Sequence, residues 1–162
     1  NVAFISGSTG LSTETIKLLK KYSKKIPIFW SSNMSVGANI LKQVASEITL
    51  KVAKGFDVDI TDIHHIQKRD TPSGTALSIK EEIESSLKKK EIKKPVNVSS
   101  IRAGDSTGEH SVIFSGKGEK IIIKHISTSR NIFAYGAIEV AKWTSMQKSG
   151  FYNMKDFLAN KG

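Results

Sequence analysis

The chain has 162 residues, 38% of them hydrophobic and 25% charged, a balance typical of globular domains rather than disordered or fibrous chains. The absence of cysteine excludes disulfides and thiolate metal centres and is compatible with a reducing cytoplasm, where the protein is expected. The net charge of +10 comes mainly from lysines at 17–25 and 80–94; arginine is scarce and no basic stretch alternates with aromatics, so a nucleic-acid partner is not expected.

No apolar run approaches the roughly 20 residues needed to cross a bilayer, and no membrane partner is expected. The opening Asn1-Val2-Ala3-Phe4-Ile5-Ser6-Gly7 lacks the basic flank and cleavage site of a signal peptide. It reads as the middle of a strand, and the chain as a fragment.

In chain order, residues 2–5 form a short apolar run and Gly7-Ser8-Thr9-Gly10 a tight turn. Ser12 or Thr13 is placed to cap a helix whose apolar side is Ile16, Leu18 and Leu19. Residues 26–30 read as a second strand, and this alternation of strand and helix predicts a parallel, doubly wound sheet. Ile40, Leu41, Val44, Ala45 and Ile48 recur at helical spacing over 36–51. The period then falls to two: Phe56, Val58 and Ile60 alternate with Asp57, Asp59 and Thr61, as in a half-buried strand.

Thr71-Pro72 is expected to open a helix running through Ala76, Leu77, Ile79, Ile83 and Leu87. Residues 96–126 look all-β, with a hairpin at Gly116-Lys117-Gly118, and 132–148 look helical, closed by Ser149-Gly150 as a glycine cap. The fold class is therefore α/β: a remnant of a doubly wound, Rossmann-like sheet plus a mixed-sheet α+β domain.

The densest chemistry lies between Asp62 and Ala76. His64 and His65 exchange protons near neutral pH, Lys68 adds a positive charge, and Asp62 is available to orient an imidazole. Gly74 and Thr75 stand at a helix start, where backbone N–H groups and the dipole suit a carboxylate or phosphate. Taken singly, each feature is as well explained by ordinary structure; packed into one short segment, they point to acid–base chemistry on a small acid.

The segment His64-His65-Ile66-Gln67-Lys68-Arg69-Asp70-Thr71-Pro72-Ser73-Gly74-Thr75-Ala76 resembles the HHxxKxDxPSGTA signature of the dihydrodipicolinate reductase family. Further similarities follow in order. Gly7-Ser8-Thr9-Gly10 resembles its GTTG turn, and Ser31-Ser32-Asn33-Met34-Ser35-Val36-Gly37 its ANFSVG hinge. Arg102-Ala103-Gly104-Asp105 with Gly108-Glu109-His110 resembles RxGD…GEH, and Ser129-Arg130 with Phe133 and Gly136-Ala137 resembles SRxxFxxGA.

The resemblance implies an oxidoreductase of the diaminopimelate branch of lysine biosynthesis. Such an enzyme reduces a cyclic dicarboxylate of the dihydrodipicolinate type with NADH or NADPH, as a homotetramer. It implies catalytic roles for His64 and Lys68, and substrate contacts from His65, Gly74 and Thr75. Cofactor contacts would come from Gly7, Ser8, Thr9, Ser31, Ser32, Asn33 and Met34, with Arg130 and Phe133 near the nicotinamide. It implies three segments: 1–35 from the nucleotide-binding domain, 36–129 for substrate binding and tetramerisation, and 130–162 returning to the first.

The chain departs from the family at several points. Asp62 stands where a glutamate is usual, Ser8 replaces a threonine, Ser31-Ser32 replace a small apolar pair, and 88–102 looks short. Roughly a hundred family residues, with the glycine-rich pyrophosphate turn, are expected to be missing. Two other readings compete: an assembly or substrate-binding module without activity, and a basic nucleic-acid binder. A metal centre built from His64, His65, His110 and His125 fits no familiar ligand spacing, so no metal is expected. With no pyrophosphate turn in these 162 residues, NADH should bind this chain more weakly than micromolar. Isothermal titration checks that expectation, and micromolar binding would refute it.

Overall fold

The computed structural model describes residues 2–161. The chain divides into two units: residues up to Asn39 together with those from Asn131 onward, and Ile40–Arg130.

The first unit is built on a parallel sheet in the order β1-β2-β7, with β1 Phe4–Ser6, β2 Pro27–Trp30 and β7 Gly150–Tyr152. Helix α1, Thr13–Tyr22, connects β1 to β2, and Ser12 is its cap, accepting from the Thr15 N–H. Two further helices complete the unit, α4 at Asn131–Ser145 and α5 at Met154–Ala159; α5 is fastened by a reciprocal capping box between Asn153 and Asp156. Phe29, Met34, Val140, Met154 and Phe157 form its core. Gly136 is required where α4 meets the loop after β2, because a Cβ there would stand 1.8 Å from the Met34 carbonyl oxygen.

The second unit carries a four-stranded mixed sheet in the order β4-β3-β5-β6. Its strands are β3 Asp57–His64, β4 Val96–Arg102, β5 Glu109–Gly116 and β6 Glu119–Ile126. β4 runs parallel to β3, as its crossover through α3 (Gly74–Lys89) requires, while β5 and β6 are antiparallel. Helix α2, Val36–Val52, begins in the first unit and ends in the second. One face of the sheet is covered: Leu41 and Ala45 of α2, with Ala76, Ile79, Ile83 and Leu87 of α3, pack on Val58, Ile60, Val96, Val112 and Phe114. Each such buried aliphatic or aromatic side chain contributes about 1.5–3 kcal/mol relative to exposure.

The α/β class, with one parallel and one mixed sheet, stands as expected. Two boundaries differ. α3 begins at Gly74 rather than Thr71-Pro72, because Ser73 adopts an extended conformation and caps it, its Oγ accepting from the Ala76 N–H at 3.2 Å; Thr71-Pro72 is a cis peptide ahead of the helix. The fourth helix ends at Ser145, and Gly150 starts β7 instead of closing the helix. Its missing side chain leaves room for the Tyr152 ring, which a Cβ would meet at 2.8 Å. The expected hairpin is present, β5 and β6 being joined through Lys117-Gly118 with Gly118 at φ 79°.

Candidate active site

Strand pairing stacks the inward-facing residues of the mixed sheet into rows. Val96, Val58, Phe114 and Ile121 make one row, and Val98, Ile60, Val112 and Ile123 the next. The third row is entirely polar: Ser100, Asp62, His110 and His125, with Arg102 and His64 paired one step further on. The covered face of the sheet thus changes from hydrophobic core to titratable cluster within two residues.

Asp62, with no solvent exposure, is the hub. Its Oδ2 accepts from the Ser73 N–H at 2.9 Å, the Ser100 hydroxyl at 3.1 Å and the Arg102 guanidinium at 2.9 Å. Its Oδ1 lies 2.9 Å from His64 Nδ1 and 3.3 Å from His110 Nε2, ion-pair contacts rather than hydrogen bonds. Burial alone would raise the Asp62 pKa, but contacts from His110, Arg102 and Ser73 hold the carboxyl well below the usual carboxylate range.

His64, at the end of β3, is buried, its ring edge-on to His110 with centroids 5.2 Å apart. Burial lowers its pKa to about 4; Asp62 pulls it up, while His110, Lys68 and Arg102 push it down. Gly108 backs the ring: at φ 144° it has no side chain, and a Cβ there would stand 3.0 Å from His64 Nε2.

The loop after His64 is knit to the turn at Ala103–Ser106 by the His65 N–H donating to the Ser106 carbonyl (2.8 Å) and the Ile66 N–H to Gly104 (3.2 Å). His65 lies between Gln67 Oε1 on Nδ1 (3.1 Å) and Arg130 Nη2 on Nε2 (3.0 Å). Because arginine only donates, His65 Nε2 is the acceptor in its contact with Arg130. Lys68 Nζ is 2.8 Å from Asp70 Oδ1. The Asp70 carboxyl is held below its usual range chiefly by Lys68, with the Gly74 amide adding to the effect. A carboxylate of the chain itself therefore uses the ammonium and helix-start amide that the sequence assigns to an anion.

In the second unit His64, Lys68 and Gly74 are thus linked through Asp62, Arg102 and Asp70, while His65 pairs with Gln67 and Arg130. Sequence reasoning named Asp62 as a carboxylate able to orient an imidazole but missed its further partners Ser73, Ser100, Arg102 and His110. The signal available was alternation: even-numbered positions 58, 60, 62 and 64 share a face, so an aspartate in phase with Val58 and Ile60 is buried and needs partners. Asp62, His64 and His110 bring nitrogen and oxygen atoms within 4.8 Å of one another, but Arg102 already supplies the positive charge the carboxylate needs.

In the first unit Gly7–Thr9 and Ser31–Met34 follow adjacent parallel strands, β1 and β2, at the carboxyl ends where open parallel sheets bind ligands. The two loops are joined through Trp30 Nε1 donating to the Ser8 carbonyl (3.0 Å) and the Ser31 N–H donating to Ser6 (3.2 Å). None of their residues is charged, so what they offer a ligand is backbone and hydroxyl groups. The Met34 side chain packs into the core, so only its backbone faces that role. Phe133, on α4, is 42% exposed.

The lowered His64 pKa fixes a stability trend. The unfolded imidazole takes its proton near pH 6.5 and the folded one near 4, so stability falls as pH drops through that window. Asp62 acts below it, its contribution present above the unfolded carboxylate pKa and lost on further acidification. Urea unfolding at pH 7 and pH 4 should show His64→Gln losing less stability than the parent, by up to about 3 kcal/mol. Parallel losses would show that His64 is not held neutral.

Comparison with known proteins identifies the lineage. Residues 37–158 match the family model for dihydrodipicolinate reductase, C-terminus, and residues 1–34 the model for its N-terminus. The chain is 42% identical to the 4-hydroxy-tetrahydrodipicolinate reductase of Buchnera aphidicola subsp. Cinara cedri, covering 98% of this chain and 63% of that protein. It is 46% identical to the enzyme of that name from Wigglesworthia glossinidia brevipalpis, covering 95% of this chain and 57% of the relative. The chain therefore spans about three fifths of the length of these relatives. Its fold matches the dipicolinate-bound dihydrodipicolinate reductase from Paenisporosarcina sp. TG-14 with a TM-score of 0.80 at 22% identity, over 94% of this chain and 63% of that one. By sequence across nearly its whole length, this chain belongs to the dihydrodipicolinate reductase family.

Proposed function

We propose that this chain carries the substrate site of a 4-hydroxy-tetrahydrodipicolinate reductase. In this reading a dihydrodipicolinate-type cyclic dicarboxylate is reduced to tetrahydrodipicolinate on the diaminopimelate route to lysine, in the cytoplasm. One observation carries it: Asp70 already places a carboxylate on Lys68 Nζ at 2.8 Å and toward the Gly74 amide. Asp70 is more than half exposed and can withdraw, leaving a cation and a helix start for a substrate carboxylate.

Around that anchor the roles are those the family resemblance implies. Gly74 and Thr75, with Lys68, hold one substrate carboxylate, and His65 with Arg130 presents a second polar edge. When bound, the reduced nicotinamide of NADH or NADPH supplies hydride, and Gly7–Thr9, Ser31–Met34, Arg130 and Phe133 are its assigned contacts. His64 delivers the proton to the atom beside the one reduced, and Lys68 offsets negative charge developing in the transition state.

A homotetramer is proposed on the second unit's uncovered sheet face. Ile101, Ile122 and Ile126 stand about half exposed there, on strands β4 and β6 at the two sheet edges. Val112 and Ile123, on the neighbouring positions of β5 and β6, point to the covered face. An assembly module without activity is the alternative, and it shares this face.

Pyridine-2,6-dicarboxylate, a planar dianion, should bind the parent chain, and each of His65→Ala, Lys68→Ala and Thr75→Val should weaken it about tenfold or more in isothermal titration. Equal binding by all three would remove the site assignment. Light scattering should give four times the chain mass, and a monomer would exclude the tetramer.

A further inference from the structure

Asp62 has two oxygens with different duties. Oδ2 is saturated by Ser73 N–H, Ser100 and Arg102. Oδ1 is buried, makes no hydrogen bond, and faces two imidazole nitrogens, His64 Nδ1 at 2.9 Å and His110 Nε2 at 3.3 Å. A buried carboxylate oxygen left in this state costs free energy, commonly about 1–3 kcal/mol for an unsatisfied group. Folding alone offers no reason to keep it.

The Oδ2 side leads elsewhere. The amide it accepts belongs to Ser73, the cap of α3, and the Ser73 hydroxyl both accepts from the Ala76 N–H and contacts His110 Nε2 at 3.1 Å. The next residues are Gly74 and Thr75. One carboxylate is therefore in contact with the imidazole assigned to proton transfer and with the turn assigned to the anion, and His110 closes the circuit between them.

We propose that Asp62 and His110 are positioning residues that couple the proton state of His64 to occupancy of the anion-binding turn at the start of α3. This rests on the function proposed above and adds a residue-level link to it. A shift of the helix start when a substrate carboxylate arrives moves the Ser73 amide, and with it the carboxylate whose free oxygen faces His64. Imidazolium at His64 Nδ1 then meets a negative oxygen shared with His110 Nε2 at 3.3 Å.

The groups facing His64 are accounted for element by element. Asp62 comes from β3, Arg102 from β4, His110 from β5 and Lys68 from the loop, while His125 on β6 faces His110 and is itself lowered by burial and then by that neighbour. Only Asp62 favours a charged His64; Arg102, His110 and Lys68 oppose it. The two positioning residues therefore act on His64 with opposite signs.

The test is the imidazole titration of His64, followed by NMR in the full chain, for the parent, Asp62→Asn and His110→Phe, each with and without pyridine-2,6-dicarboxylate. The His64 midpoint should fall in Asp62→Asn and rise in His110→Phe, and the ligand should raise it in the parent far more than in either variant. Affinity for the dianion should fall about tenfold in Asp62→Asn, as expected for losing a charged partner of the cap amide. Packing alone would leave the midpoint where the parent has it in both variants, and that result overturns the proposal. If Asp62→Asn fails to fold, His110→Phe, which keeps an aromatic ring against His64, decides alone: an unmoved midpoint rejects the link. A parent chain that does not bind the dianion would sink the function proposed above, while the ligand-free midpoints still judge the positioning roles.

Discussion

A carboxylate fully withdrawn from water, and ionised there, is the constraint around which the second unit is arranged. Burying Asp62 is expensive, and Arg102 at 2.9 Å, the Ser73 amide and Ser100 together offset that cost. A buried ion pair of this kind is weak evidence for stability, since an apolar replacement of similar volume is often as good. Its value lies in geometry. Arg102 also donates to the carbonyls of Asp62 at 3.2 Å and of Asp70 at 2.7 Å, so one guanidinium clamps strand β3 to the loop that returns beneath it. Removing the carboxylate would take away the shared acceptor of the Ser73 amide, Ser100 and Arg102.

The sheet explains why the cluster can exist at all. Rows of valine, isoleucine and phenylalanine across four strands fix the register, because a slip of one residue would turn every one of them to the other face. With that register set, the polar row Ser100, Asp62, His110 and His125 falls into line at the strand ends without further instruction. The site is thus an extension of the hydrophobic core: Ile60 and Val112 position Asp62 and His110 as firmly as any direct contact does.

Much of this was legible in the residues themselves. Period-two alternation over 56–61 marks β3, at whose end His64 meets Asp62, and Lys68 in the loop that follows meets Asp70. What stayed hidden were the partners brought in from distant strands. Ser100, Arg102 and His110 lie 38 to 48 positions from Asp62 by their numbering, and only strand pairing sets them beside it. The short C-terminal pieces were also missed. β7 is three residues long and α5 six, too brief for periodicity to register, and α5 is defined by the Asn153–Asp156 capping box rather than by its apolar pattern.

His64 is held neutral in the ligand-free chain, so on the function proposed above it must take up a proton before it can donate one. Three cationic or cationisable neighbours, Lys68, Arg102 and His110, oppose a further positive charge in a buried site. On the function proposed above, a dianionic substrate would reverse that balance, its carboxylates neutralising the field of Lys68 and the α3 amino end while Asp62 Oδ1 is already in place. The imidazole then takes up a proton at the moment there is an acceptor to receive it. A permanently charged His64 would have to persist beside those cations in the empty site; one charged by the arriving anion avoids that state, so the same two negative charges that select the substrate also arm the acid.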